Sequence, residues 1–176
     1  MSGPNIAPAR AAEATPDRLV VVEVDEHHAA GTYRNMFLVC WTGETKPGAV
    51  ARLIHPLARL AEQFPEGIGL MQVVGAKTGP PSSEARGALS KLLQAGSDTV
   101  VCSSLVVTGV GFRMAAARAF ATGLIMLARL RFPHEVYARV AEAATWQVAL
   151  LPPGKRAPMK PHDLIAAVNE LQSKPA

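Results

Sequence analysis

Residues 33–41 read YRNMFLVCW and predict a β-strand that is covered on both of its faces. Side chains alternate between the two faces of a strand, and here both sets are apolar. One set is Met36, Leu38 and Cys40, and the other is Phe37, Val39 and Trp41. A strand with two apolar faces is typical of a sheet that carries helices on both sides. We therefore expect an α/β fold built around this strand.

Other runs rich in β-branched and apolar residues predict further strands. They are 19–24 (LVVVEV), 68–74 (IGLMQVV), 99–109 (TVVCSSLVVTG) and 134–138 (HEVYA). The segment DEHHAAGT, 25–32, is predicted to turn the chain between the first two strands. Because this connection is short, those two strands are expected to pair antiparallel.

Segments with apolar residues at helical spacing separate the strands. They cover residues 48–64, 85–93, 110–132, 140–151 and 163–172. Pro56 lies inside the first of them and should kink that helix or mark its start nearby. The order β-β-α-β-α-β-α-β-α predicts an α/β fold, a mostly parallel four- to five-stranded sheet with helices on both faces.

The length and composition are those of one globular domain with tails. The chain has 176 residues, and 49% of them are hydrophobic, which is enough for a packed core. Residues 1–18, rich in Ala and Pro, are interpreted as a flexible tail. Residues 19–151 form the predicted α/β domain, and 152–176 a Pro-rich linker with a short final helix.

Charge and hydropathy argue against several classes of protein. The net charge of +4 is not gathered into a dense basic block, so nucleic acid is not expected as a partner. The apolar stretch 114–130 contains two arginines and is too short for a membrane span. The N-terminal residues lack the apolar segment of a signal peptide. Cys40 and Cys102 lie in apolar runs and suit a reducing compartment, so we expect a cytoplasmic protein.

Three segments carry a resemblance to a known family. They are FLVCWTGE (37–44) running into a helix, VVTGVGFRMAAAR (106–118), and VYARVAEAATW (136–146) with its late Trp. With the order of elements, they resemble the STAS domains of bacterial anti-sigma-factor antagonists and sulphate transporters, and above all the divergent STAS-like bacterial proteins. The resemblance covers residues 19–151. It implies a non-catalytic regulatory or scaffold domain that acts through protein–protein contacts.

The resemblance also implies a position for a switch. In the anti-sigma antagonists, the third strand leads to Asp-Ser-Ser-Gly at a helix start, and a serine there takes a phosphate from a partner kinase. The corresponding stretch here is PPSSE, 80–84. The implied switch or partner site is Lys77, Thr78, Ser82 and Ser83. The residues themselves equally predict a plain helix start, with a proline in the first turn and a Ser or Thr cap.

Residues 108–113, TGVGFR, follow a strand and open a helix, which is where open α/β sheets bind ligands. Glycines let the backbone come close to a ligand, and an arginine can hold an anion. The candidate anion or ligand site is Thr108, Gly109, Gly111 and Arg113. A tight turn without a ligand explains the same residues.

One side of the predicted long helix mixes polar and apolar residues, as interaction surfaces do. The residues on it are Arg118, Thr122, Ile125, Met126 and Arg129. They favour contact with a protein partner or with a second copy in a homodimer. An amphipathic helix with stray apolar exposure explains the same pattern.

Nothing in the sequence predicts catalysis. It contains no CxxC and no GxSxG, and it has no evident carboxylate pair. His27 and His28 with Asp25 and Glu26 suggest a metal, but adjacent residues on a turn seldom converge. We therefore expect no enzyme activity, no cofactor and no metal. A module that binds a lipid or an anion is the second hypothesis, and an enzyme is the third.

Overall fold

The structure is a computed structural model. It describes residues 17–96, 98–109, 111, 114–115, 117–119, 121–122, 130–153 and 158–174. These residues form an α/β fold whose mixed sheet is mostly parallel. No helix within these ranges is both long enough and apolar enough to span a membrane.

Six strands lie in the sheet in the order in which they occur along the chain. They are β1 (Val20–Val24), β2 (His28–Tyr33), β3 (Met36–Trp41), β4 (Ile68–Val74), β5 (Val100–Val107) and β6 (His134–Tyr137). β2 pairs antiparallel with both β1 and β3, whereas β3, β4, β5 and β6 are parallel to one another. The predicted strands therefore exist, but the predicted count of four to five is wrong. The predicted antiparallel pairing of 19–24 with 33–41 is also wrong, because β2 lies between these two strands and pairs with both.

The additional strand is β2, which lies largely inside the segment 25–32 that the sequence predicts as a turn. Ala29, Ala30 and Gly31 have little preference for strands, and local propensity therefore misses it. The small residues are needed because this strand is buried between two neighbours and a helix. A Cβ on Gly31 would lie 2.9 Å from the carbonyl oxygen of Val20 in β1.

Five helices are described: α1 (Pro47–Arg52), α2 (Ile54–Gln63), α3 (Ser83–Ala95), α4 (Val140–Leu150) and α5 (Pro161–Gln172). The single helix predicted over 48–64 is thus two helices that meet at Leu53. Pro56 is the third residue of α2. The first N–H groups of a helix make no hydrogen bond within the helix, so a proline, which has no N–H, is tolerated there. The prediction that Pro56 marks a helix start is confirmed.

Helices cover both faces of the sheet, as predicted. Phe37, Val39 and Trp41 of β3 pack in one core with residues of α1, α2 and α3. Met36, Leu38 and Cys40 pack in a second core with residues of α4 and α5. Each of these six side chains therefore lies on the face of the sheet that the alternation in 33–41 predicts. The helix predicted over 110–132 falls largely outside the described residues, but the described ones between 114 and 122 are helical.

The sheet brings several loops to one edge. β1 runs in the same direction as β3, because both are antiparallel to β2. The carboxyl ends of β1, β3, β4 and β5 therefore lie together, and we call this side the carboxyl edge. The loops 25–27, 42–46 and 75–82 leave from it, and so do Thr108 and Gly109.

Candidate functional site

Hydrogen bonds tie the loops of the carboxyl edge to the strands beside them. Trp41 O accepts from Gly75 N at 3.0 Å and from Thr78 Oγ1 at 3.1 Å. Val74 O accepts from both the backbone N and the hydroxyl of Thr108, each at 3.0 Å. Each loop is thus held by the strand that precedes it in the sheet.

Ser82 and Ser83 begin α3 at this edge. Ser82 is the N-cap, and its Oγ accepts a hydrogen bond from Ala85 N at 3.1 Å. Ser83 is the first helical residue, and both serines are exposed. The capping role predicted from the sequence is confirmed for Ser82, and it leaves both hydroxyl groups within reach of another molecule.

The other two residues of the predicted switch site lie on the loop that leads to α3. Lys77 is exposed, and Thr78 is half-buried because its hydroxyl donates to Trp41 O. All four residues are thus on one continuous surface at the N-terminus of α3. A helix N-terminus carries a partial positive charge, which Lys77 adds to and Glu84 opposes.

The candidate anion site has its polar groups already engaged. Gly109 and Gly111 have φ of +112° and +94°, values that favour glycine, so a tight turn is present. The Thr108 hydroxyl donates to Val74 O. A Cβ on Gly109 would lie 3.2 Å from the Cβ of Ala76, so this turn contacts the loop before α3. Arg113 lies outside the described residues.

Two residues of the predicted interface are described. Arg118 does not project freely, because its Nη1 donates to Val107 O at 3.1 Å and lies 3.5 Å from Gly109 O. Thr122 is exposed, and its hydroxyl donates to Arg118 O at 3.0 Å. Ile125, Met126 and Arg129 lie outside the described residues. Arg118 therefore ties the backbone at Val107 and Gly109 to the helical residues that follow.

An apolar groove adjoins the exposed serines. It lies between α1 and α3 and has a volume of about 500 Å³. Its lining is Pro47, Gly48, Ala51, Ile54, Glu84, Gly87, Ala88 and Lys91. The sequence did not predict it, because the groove depends on α1 and α3 lying side by side. The only signal in the sequence is the small residues on both helices.

A second cluster lies at the other end of the same edge, on the turn between β1 and β2. Asp25 Oδ1 accepts hydrogen bonds from His27 N at 2.8 Å, His28 N at 2.9 Å and His28 Nδ1 at 2.9 Å. Burial raises the pKa of Asp25, but these hydrogen bonds and the attraction to His28 outweigh it, so the net shift is downward. The carboxylate form of Asp25 is therefore favoured.

Arg52 of α1 covers this cluster from outside. Its Nε donates to Glu23 Oε1 at 2.7 Å and its Nη2 to Asp25 Oδ2 at 3.2 Å. The His28 ring is buried and stacks on Trp41, with ring centroids 5.1 Å apart. Ligand atoms of Glu23, Asp25 and His28 all lie within 4.8 Å of one another, a spacing that a metal ion requires. The convergent set thus differs from the grouping of His27, His28, Asp25 and Glu26 considered from the sequence.

The buried cysteines and one buried histidine lack the properties of catalytic groups. Burial raises the pKa of the Cys40 and Cys102 thiols to about 12, so both are protonated at neutral pH. Burial lowers the pKa of His134 to about 4, and neither of its ring nitrogens has a described hydrogen-bond partner. A nucleophile and a base that touch each other are not found among the described residues.

Comparisons with known proteins identify no relative of this chain. No family model, no curated protein and no solved structure matches it. The function is therefore argued from the geometry of the carboxyl edge.

Proposed function

We propose that the protein is a non-catalytic STAS-like regulatory or scaffold domain that acts by binding a protein partner. The docking surface comprises the loop 75–82, the start of α3 and the groove between α1 and α3. The partner is contacted by exposed polar groups at the helix start and by apolar surface beside them. This combination of an apolar centre with a polar rim is typical of protein interfaces.

The order of elements supports this assignment. A hairpin is followed by parallel strands joined through helices, and the helix after β4 begins at the carboxyl edge. In a STAS domain the switch serine stands at the start of the corresponding helix. Ser82 and Ser83 begin the helix that follows β4, which the additional strand β2 makes the fourth strand rather than the third.

One observation carries the proposal: the exposed serines begin the same helix, α3, that forms one wall of the apolar groove. Glu84 follows Ser83 directly and already lines the groove. A phosphate on Ser83 would lie at the positive N-terminus of α3, and the partial charge there would stabilise the phosphate. The phosphate would add about two negative charges at the rim of the groove. The same position therefore suits a switch that alters partner binding.

The second hypothesis, a site for an anion or a lipid, receives less support from the geometry. The Thr108 hydroxyl of the candidate anion site donates to Val74 O, and Arg113, the residue predicted to hold the anion, lies outside the described residues. The groove between α1 and α3 is open rather than enclosed, which suits a protein segment better than a small apolar molecule.

Affinity capture from the native host tests the proposal when it compares matched variants. Gly87→Asp places a charge in the groove, and a Cβ at Gly87 would meet nothing within 4 Å. Ala141→Asp is the control, because Ala141 is exposed on α4, on the opposite face of the sheet. We expect a partner that is captured by wild type and Ala141→Asp but lost from Gly87→Asp. Capture of the same proteins by all three would contradict the proposed surface.

A further inference from the structure

The cluster on the turn between β1 and β2 contains a buried nitrogen that the protein does not satisfy. The His28 side chain is 0% exposed, and its Nε2 has no hydrogen-bond partner among the described residues. Glu23 Oε1 is 3.6 Å from that nitrogen. This separation is too long for a hydrogen bond. Buried polar atoms are rarely left without a partner, so this one requires an explanation.

The other ring nitrogen determines which form of the imidazole is present. Asp25 Oδ1 accepts two backbone N–H bonds, so the contact at 2.9 Å from His28 Nδ1 is also one in which Asp25 accepts. Nδ1 therefore carries a proton, so in the neutral tautomer Nε2 presents a lone pair. A carboxylate oxygen of Glu23 lies 3.6 Å from that nitrogen. Two electron-rich atoms at this separation repel, and a cation between them would remove the repulsion.

The distance between the two atoms suits a metal ion. A nitrogen and an oxygen that each lie about 2.1 Å from a tetrahedral Zn²⁺ are roughly 3.4 Å apart. The observed 3.6 Å is close to that value. A carboxylate that accepts from the distal nitrogen of a metal-bound histidine fixes its orientation, and Asp25 holds His28 in this way.

We propose that Glu23 and His28 bind a divalent transition metal of the Zn²⁺ class, with Nε2 and the Glu23 carboxylate as ligands and Asp25 as the positioning residue. Arg52 is the competing cation, because its guanidinium contacts both Glu23 and Asp25. The Arg52 side chain is 55% exposed, so it can leave these carboxylates without disturbing the core. The ion and Arg52 then exchange on the Glu23 carboxylate.

The site has a route to solvent and room for further ligands. A depression of about 370 Å³ adjoins it, lined by Asp25, Glu26, His27, Lys46, Gly48, Ala49 and Arg52. The depression shares Asp25 and Arg52 with the cluster, and water from this side would complete the coordination of the ion. Because Trp41 stacks on His28, its fluorescence reports events at the ring.

The test is titration of the tag-free full-length chain with Zn²⁺ by calorimetry and with Co²⁺ by visible absorption and Trp fluorescence. We expect one ion per chain, tetrahedral Co²⁺ absorption and a change in Trp41 emission that persists in Trp146→Phe. Asp25→Asn should weaken binding by about 10- to 100-fold, as loss of such a positioning carboxylate does. His28→Gln and Glu23→Gln should abolish it.

Two further variants keep the proposal falsifiable if His28→Gln fails to fold. Arg52→Gln changes an exposed side chain and should bind Zn²⁺ several-fold more tightly, because the competing cation is gone. His55→Gln with His162→Gln removes two exposed histidines and should leave the affinity unchanged. The absence of binding, an affinity unaffected by Arg52→Gln, or a loss of binding in the double histidine variant would each overturn the proposal.

Discussion

Ser82 Oγ accepts a hydrogen bond from the backbone N–H of Ala85 at 3.1 Å, and this bond defines the start of α3. The first N–H groups of a helix have no partner within the helix, and the Ser82 side chain satisfies one of them. The same residue stands on the proposed docking surface. A substitution at Ser82 therefore affects both stability and partner binding. Comparing it with the same substitution at Ser83 separates the two effects.

Replacing Ser82 with Ala should lower the free energy of unfolding by about 1 kcal/mol, because the cap is lost. Ser83→Ala should change it by less than about 0.5 kcal/mol, since Ser83 is exposed at the first helical position. Urea unfolding monitored by circular dichroism measures both. Equal losses for the two variants would contradict the assignment of Ser82 as the cap.

Gly69 in β4 should not tolerate even a methyl group. A Cβ there would collide with Met36 Sδ of β3 and lie 3.2 Å from Leu151 Cδ2. Gly69→Ala should therefore lower the free energy of unfolding by about 1–3 kcal/mol through overpacking. Gly79→Ala is the matched control, because its Cβ would meet nothing within 4 Å. If both variants unfold at the same urea concentration, Met36 and Leu151 accommodate the methyl group, and tight packing around Gly69 is refuted.

Stability should fall between pH 7 and pH 5 because of His134. Burial lowers its pKa from 6.5 to about 4. The unfolded chain therefore binds more protons than the folded one across this range, and acid favours unfolding. The contribution of His134 between pH 7 and 5 is about 2 kcal/mol. Urea unfolding at both pH values should show a smaller loss for His134→Leu than for wild type, and equal losses would refute this assignment.

The two thiols should resist modification in the folded protein. Burial raises the pKa of both Cys40 and Cys102 to about 12, and thiolate is the reactive form. At neutral pH, an aromatic disulfide reagent should react slowly with the native protein. In denaturant, it should react readily with both thiols. Rapid reaction of either cysteine without denaturant would show that it is accessible.

The parts of the fold that the sequence predicts are those with strong local patterns. β4 was expected over 68–74 and occupies Ile68–Val74, because a short apolar run bounded by glycine and a turn has few alternatives. β2 was missed because its alanines and glycine are chosen for close packing, not for strand propensity. The break at Leu53, by contrast, follows from a local signal, because Pro56 cannot donate to Arg52 O four residues earlier and its ring would clash with that carbonyl.

In the candidate site, too, the sequence predicts the local features and misses those formed by residues distant in sequence. The cap at Ser82 is a local signal, so the sequence predicted it. The cluster of Glu23, His28 and Arg52 was missed because Arg52 joins it from α1, 29 positions beyond Glu23. The groove between α1 and α3 is likewise formed by residues distant in sequence. Contacts of this kind follow from the sheet order, which periodicity alone does not specify.

The dissociation constant of the captured partner tests the central claim most directly. It should be measured by calorimetry for wild type, Gly48→Asp, Gly87→Asp and Ala141→Asp. Gly48 and Gly87 lie on opposite walls of the groove, and a Cβ at either position meets nothing within 4 Å. We predict that each groove variant weakens binding at least about tenfold, because it buries an unpaired charge, while Ala141→Asp binds as wild type does. Equal dissociation constants for all four proteins would contradict binding at the groove beside Ser82 and Ser83.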